Sequence, residues 1–244
     1  MSAWYELILE RDLVPDALIR VAIRGLIRDR LREEEGRDKG AFVDSLKASP
    51  LAIHTDAANE QHYEVPPEFF QLALGPHRKY SCCYWPEGVT SLGEAERRGL
   101  EQVVERAGLA DGQRILELGC GWGSLSLFMA ERFPQSQITA ISNSRPQREF
   151  IEAQARQHGI RNLRVITANM VDFAPDGKFD RIVSVEMFEH MRNYRELFRR
   201  IRGWLNPGGQ LFVHIFSHHR FVYPFETRGP GDWMAEHFFT GGIM

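Results

Sequence analysis

The chain has 244 residues, 43% of them hydrophobic and 26% charged, with a formal net charge of −3. That balance describes a soluble globular protein of one domain plus an appendage. It excludes large-scale disorder and offers no broad basic field for nucleic acid. Three cysteines, Cys82, Cys83 and Cys120, make a poor disulfide framework and point to a reducing compartment. The N-terminal "MSAWYELILERDLVPD" carries early acids and no long apolar core, so neither a signal peptide nor a membrane span is expected, and the expected location is cytoplasmic.

Residues 16–32, "DALIRVAIRGLIRDRLR", place Leu18, Val21, Ala22 and Gly25 on one helical face and stack Arg20, Arg24 and Arg28 on another. The pattern predicts a packing helix with a solvated arginine face; the alternative is peripheral contact with an anionic membrane. "REEEGRDKG" then reads as a charged linker. Residues 50–92 are irregular, cut by Pro66, Pro67, Pro76 and Pro86 and rich in His, Tyr and Cys, the kind of scaffold-held loop on which chemistry sits. A helix is expected from about residue 93, "GEAERRGLEQVVERAGL".

The remainder alternates. Strands are predicted at 114–118, 137–142, 163–168, 179–185 and 210–216, with helices at about 123–133, 146–158 and 193–204. This is an α/β chain with a doubly wound, mostly parallel sheet, whose ligand crevice lies at the carboxyl ends of the strands.

The stretch "ILELGCGWGS" follows the first strand with Gly119, Gly121 and Gly123 on alternate positions. A dinucleotide fingerprint needs its third glycine one residue later, where Ser124 stands, and an acid at the end of the second strand, where Ser142, Asn143 and Ser144 stand. Glu117 sits instead just before the turn. A carboxylate there repels a pyrophosphate and suits a ligand bearing an amine, such as S-adenosylmethionine.

The ordered series "NEQHYEVPPEFF", "KYSCCYW", "ILELGCGWGSLSL", "ISNSRPQ", "SVEMFEHMRNY", "FVHIFSH" and "HFFTGG" resembles the S-adenosylmethionine-dependent superfamily of cyclopropane-fatty-acyl-phospholipid synthases and mycolic acid methyltransferases. "YSCCY", "EMFEHM" and "FFTGG" are most similar to its coclaurine N-methyltransferase branch. The resemblance implies a Rossmann-like class I methyltransferase fold under an N-terminal helical cap. It divides the chain into helical region and active-site loops (1–92), cofactor-binding core (93–217) and the start of an acceptor-side lid (218–244), with a further carboxyl-terminal portion expected beyond. It also implies a cofactor half made of Tyr80, Ser81, Gly119, Gly121, Ser142, Asn143, Gln147, Asn169 and Met170, joined by Glu117. For Met170 the plain alternative is core packing, and Trp122 is expected either under the turn or on the acceptor pocket.

The acceptor half centres on "EMFEHM". If that turn is helical, Glu186, Glu189 and His190 share a face and can move a proton, as an amine acceptor requires. Glu189 and His190 are the expected proton-handling pair, and the resemblance places Tyr63 and Glu64 near the amine. The rival reading is methylation of a lipid alkene assisted by bicarbonate, for which the resemblance places Cys82, Glu189 and His214 as ligands. A third reading is a cofactor-binding module without activity. Cys82 and Cys83 are otherwise read as small buried hydrophobes, and His218 and His219 as exposed loop residues. The histidines form no metal-binding pattern, so no metal is expected.

Overall fold

The computed structural model describes residues 8–9, 11–53, 67–229 and 232–244. Five strands form one parallel sheet in the order β3-β2-β1-β4-β5: β1 Arg114–Leu118, β2 Gln137–Ser142, β3 Leu163–Thr167, β4 Phe179–Val185 and β5 Leu205–His214. Helices α1 (Asp16–Glu35), α2 (Lys39–Ala48), α3 (Pro67–Ala73) and α4 (Leu92–Arg106) precede the sheet. Helices α5 (Ser124–Arg132), α6 (Arg145–Gln157) and α7 (Tyr194–Trp204) are interleaved with it, and a short α8 (Trp233–His237) follows. No helix among the described residues is long and apolar enough to cross a membrane.

The apolar runs explain the layers. In β1 the residues after Arg114 are all buried, as befits a central parallel strand covered on both faces. Ile115 joins Leu100, Val103, Leu125, Met129, Ile138 and Val183 on one side of the sheet. Leu116 and Leu118 join Ile141, Phe173, Ile182, Leu197 and Ile201 on the other. Two of the crossover helices, α6 and α7, begin with side-chain caps: Ser144 Oγ accepts from Gln147 N–H at 3.4 Å, and Asn193 Oδ1 from Glu196 N–H at 3.1 Å. The chain winds outward from β1 through β2 to β3, then crosses to β4. The crevice beside the carboxyl end of β1 is therefore the topological switch point.

Three expectations are corrected. The segment read as a linker is helical: α1 runs on to Glu35, and after a break at Gly36 the chain forms α2, capped by Asp38, which accepts from the N–H groups of Gly40 and Ala41. The face of α1 predicted to pack is open, with Leu18 60% and Val21 61% exposed. Ile23 and Ile27 on other faces are exposed as well, so no single stripe selects a packing side. The helix is held at its far end, where Arg30 pairs with Asp232 and lies 5.5 Å over the Tyr223 ring, and Glu34 is buried against Arg37. Finally, β5 starts earlier and stops earlier than 210–216. Leu205 already pairs with Phe179, and a register shift absorbs the Asn206–Gly209 stretch that reads as a turn.

Candidate active site

The three glycines all have positive φ, +80° at Gly119, +51° at Gly121 and +81° at Gly123, a region costly for any residue with a Cβ. Space divides their roles. A Cβ at Gly123 would lie 2.5 Å from Ile151, so this glycine lets α5 and α6 close; a Cβ at Gly121 would meet nothing within 4 Å and would project into open space. The Gly119 and Cys120 N–H groups donate to the Ile141 carbonyl at 3.1 and 2.8 Å, pinning the turn to the end of β2.

Beside this turn lies a cavity of about 300 Å³. Tyr80, Ser81, Glu117, Gly119, Gly121, Ser142, Asn143, Gln147, Asn169 and Met170 all line it, so the structure gathers every residue predicted for the cofactor half. Met170 also packs on the adjoining apolar cluster. Trp122 lines the cavity and packs between Phe70, at 4.9 Å, and Phe150, at 5.4 Å. Ser142 Oγ donates to Gln147 Oε1 at 2.6 Å. Gln147 Nε2, Trp122 Nε1 and Ser124 Oγ are buried on the lining and find no partner among the described residues. Buried polar atoms normally find partners, so these point to a polar ligand. A glycine cradle, convergent amide and hydroxyl groups and apolar walls fit a methionine nucleoside.

Glu117 lines the cavity and is only 3% exposed. Ser126 Oγ–H donates to its carboxylate, and burial raises its pKa to about 7.

On the acceptor side, β4 ends at Val185, which pairs with His214 of β5, and the Glu186 N–H donates to the His214 carbonyl at 2.8 Å. The turn that follows is not one helix. Glu186 has φ +52°, and a short 3-10 turn covers Phe188–His190 alone, so the expected shared face breaks up. Glu186 and His190 line the cavity with Met187, Phe216, Phe238 and Phe239, while Glu189 does not. Glu189 Oε1 accepts from Phe216 N–H at 2.8 Å, and its Oε2 is buried without a partner among the described residues. Burial raises the Glu189 pKa to about 7, and the neighbouring Glu186 charge adds to the rise.

The predicted bicarbonate set also changes. Cys82 Sγ approaches His214 Nε2 at 3.8 Å, but the third member of the cluster is Glu186 instead of Glu189. Cys82 is exposed and Cys83 half-buried, so neither is a buried hydrophobe. Burial holds the His214 pKa below its usual value. His218 lies in the loop beyond β5, its ring nitrogen accepting from Arg220 and Phe221 N–H groups, with His219 exposed beside it. Tyr63 and Glu64 lie outside the described residues.

Sequence reasoning missed Lys79, which lines the cavity while only 5% exposed; its ammonium donates to Ser81 Oγ, and burial lowers its pKa. The available signal was Gly99 in the middle of α4. A Cβ there would lie 2.9 Å from the Lys79 Cε, so the lysine stem needs a glycine to run over.

A parallel sheet wound in this order, with a glycine turn after β1 and a nucleoside-sized cavity at the switch point, defines a class I S-adenosylmethionine-dependent methyltransferase. More narrowly, the chain belongs to the mycolic acid cyclopropane synthetase family, whose model matches residues 52–244. It is 38% identical to (S)-coclaurine N-methyltransferase of Thalictrum flavum subsp. glaucum over 243 residues, 97% of this chain and 67% of that protein. Cyclopropane-fatty-acyl-phospholipid synthase of Escherichia coli (strain K12) is 33% identical over 247 residues, 100% of this chain and 60% of the synthase. Among solved structures, coclaurine N-methyltransferase bound to N-methylheliamine and SAH superposes with a TM-score of 0.91 at 35% identity, covering 100% of this chain and 73% of that one. The mycolic acid cyclopropane synthase CmaA1 complexed with SAH and CTAB gives 0.65 at 25%, covering 79% of this chain and 70% of the synthase.

Proposed function

We propose that the chain transfers a methyl group from S-adenosylmethionine to the nitrogen of a small amine. The observation that carries this reading is Glu186, a carboxylate lining the cavity and held there by its backbone bond to His214. A carboxylate at that wall attracts an ammonium substrate. Phe216, Phe238 and Phe239 supply apolar and cation-binding surface for its body. The bound cofactor supplies the methyl on a sulfonium; the residues of the chain hold the acceptor in line, an arrangement worth about 7–11 kcal/mol of barrier when the geometry is kept. The amine must lose its proton before its lone pair can attack. His190, the imidazole on the cavity wall, takes that proton, and the carboxylate of Glu189, one residue earlier and off the wall, with a pKa of about 7, receives it in turn near neutral pH.

The approach of Cys82 to His214 favours the rival alkene reading, since the resemblance makes both bicarbonate ligands. Against it, a Glu186 carboxylate oxygen lies within 4.8 Å of both, where it repels an anion. Radiolabelled methyl transfer to a panel of small amines and unsaturated phospholipids separates the readings. Label in the amines alone is the expected result; label in the lipid alone overturns it. Cofactor binding without transfer to either leaves the chain a binding module.

A further inference from the structure

The acceptor end of the site carries a donor set of which the proposed methyl transfer to nitrogen uses one member, Glu186. Cys82 Sγ, a Glu186 carboxylate oxygen and a His214 ring nitrogen all lie within 4.8 Å of one another, the sulfur 3.8 Å from His214 Nε2. Two of the three are fixed by the sheet, through the Val185–His214 pairing and the Glu186 N–H to His214 carbonyl bond at 2.8 Å. The third arrives on a loop tied to the same acid, with the Cys82 N–H 3.4 Å from Glu186 Oε1. That loop is itself anchored. Glu96, buried in α4, accepts from the N–H groups of Gly75, His77 and Lys79 at 3.1, 2.9 and 3.1 Å. Cys82 is exposed, so an ion has access from solvent.

Thiolate, imidazole and carboxylate together make a borderline-soft set that suits Zn²⁺ over Mg²⁺ or Ca²⁺. Tetrahedral coordination with Zn–S of about 2.3 Å and Zn–N of about 2.0–2.1 Å sets sulfur and nitrogen roughly 3.5 Å apart, so the observed pair needs to close by a few tenths of an ångström. The positive groups acting on the set are the Lys79 ammonium, engaged with Ser81, and Arg106, against which the site sets one thiolate and one carboxylate.

We propose that Cys82, Glu186 and His214 form a binding site for Zn²⁺ or a similar borderline divalent cation, and that its occupation shuts the acceptor end of the cavity. Binding forms the metal–sulfur bond and releases the thiol proton to solvent, with no change of oxidation state. The ion engages the carboxylate that greets the amine, so the chain methylates in its metal-free form and a chelator restores it. The blocking step rests on the amine-methylation reading; the binding step does not.

Co²⁺ is the probe, because a tetrahedral site with a thiolate ligand gives a sulfur-to-cobalt charge-transfer band and intense visible bands. The full chain titrated with Co²⁺ should show both, saturating at one ion per chain and displaced by Zn²⁺. Cys82→Ala and His214→Ala, checked for folding by circular dichroism, should each lose the tetrahedral spectrum, whereas Cys83→Ala should keep it. A wild-type chain with no such spectrum, or a spectrum that survives Cys82→Ala or disappears with Cys83→Ala, overturns the site. Zn²⁺ should then abolish methyl transfer to an amine while SAH binding persists, and transfer undiminished at saturating Zn²⁺ overturns the blocking step. A chain that shows the cobalt spectrum yet methylates no amine, with or without metal, sinks the functional reading and leaves the site standing.

Discussion

Glu189 and Glu117 are carboxyl groups held near neutrality by burial, each with a pKa raised from an ordinary 4.5 to about 7. The sign of their contribution to stability follows. Below pH 4.5 both folded and unfolded chains keep these protons and no penalty exists. Between 4.5 and 7 the unfolded chain ionises while the folded one does not, so stability falls as pH rises through that window. Melting temperature measured against pH should show this slope, and Glu189→Gln and Glu117→Gln should each flatten it. In the proposed proton transfer Glu189 acts as its carboxylate, so turnover should rise with pH through about 7. Glu189→Gln should keep cofactor affinity and lose about 10²–10⁴-fold in turnover, the usual range for a general acid–base group. Retained turnover would move the base to Glu186 or Glu64.

The glycine turn lets two substitutions separate ligand approach from packing. Alanine at either position with positive φ costs about 1–2 kcal/mol of backbone strain. Gly123→Ala adds a collision with Ile151, 2.5 Å away, whereas a Cβ at Gly121 enters open space beside the cavity. Gly123→Ala should therefore show the larger drop in melting temperature, and Gly121→Ala the larger loss of SAH affinity by calorimetry. The same contrast explains what the sequence made legible. The strands around this turn are short apolar runs, so β1, β2 and β4 were readable, and the glycine turn with Glu117 marked the cofactor end; the rest of that half came from the family resemblance, and Lys79 on its lining was missed. The acceptor half is built from loops whose positions spacing does not encode. Extrapolating helical geometry through "EMFEHM" failed because Glu186 takes a positive φ, which sends its side chain to Cys82 and leaves Glu189 facing Phe216. The apolar residues of α1 were misread as a packing face, since hydrophobicity shows only that a surface is suited to burial.

At the scale of the whole molecule, ligand binding should register as stability. SAH at a hundred times its dissociation constant adds about 2.7 kcal/mol, or roughly 5–11 °C in melting temperature for a chain of this size, while NAD should add none. Thermal shift with both ligands checks this, and stabilisation by NAD alone would refute the reading of the cavity. The two halves of the site also differ in how far their parts are separated along the chain. The cofactor half is mostly neighbouring strands and turns between β1 and the end of β3. The turn bearing Glu189 is instead clasped by distant segments: Arg192 N–H donates to the Leu51 carbonyl, Asn193 reaches Lys47 across 146 residues, and Ile243 N–H donates to the Glu189 carbonyl. Loop closure over long separations is slow, so contacts of this kind form late. A refolding chain should pass through a stage that recognises the nucleoside before it can hold an amine, and stopped-flow refolding with fluorescent probes for each should show the two competences arriving in that order.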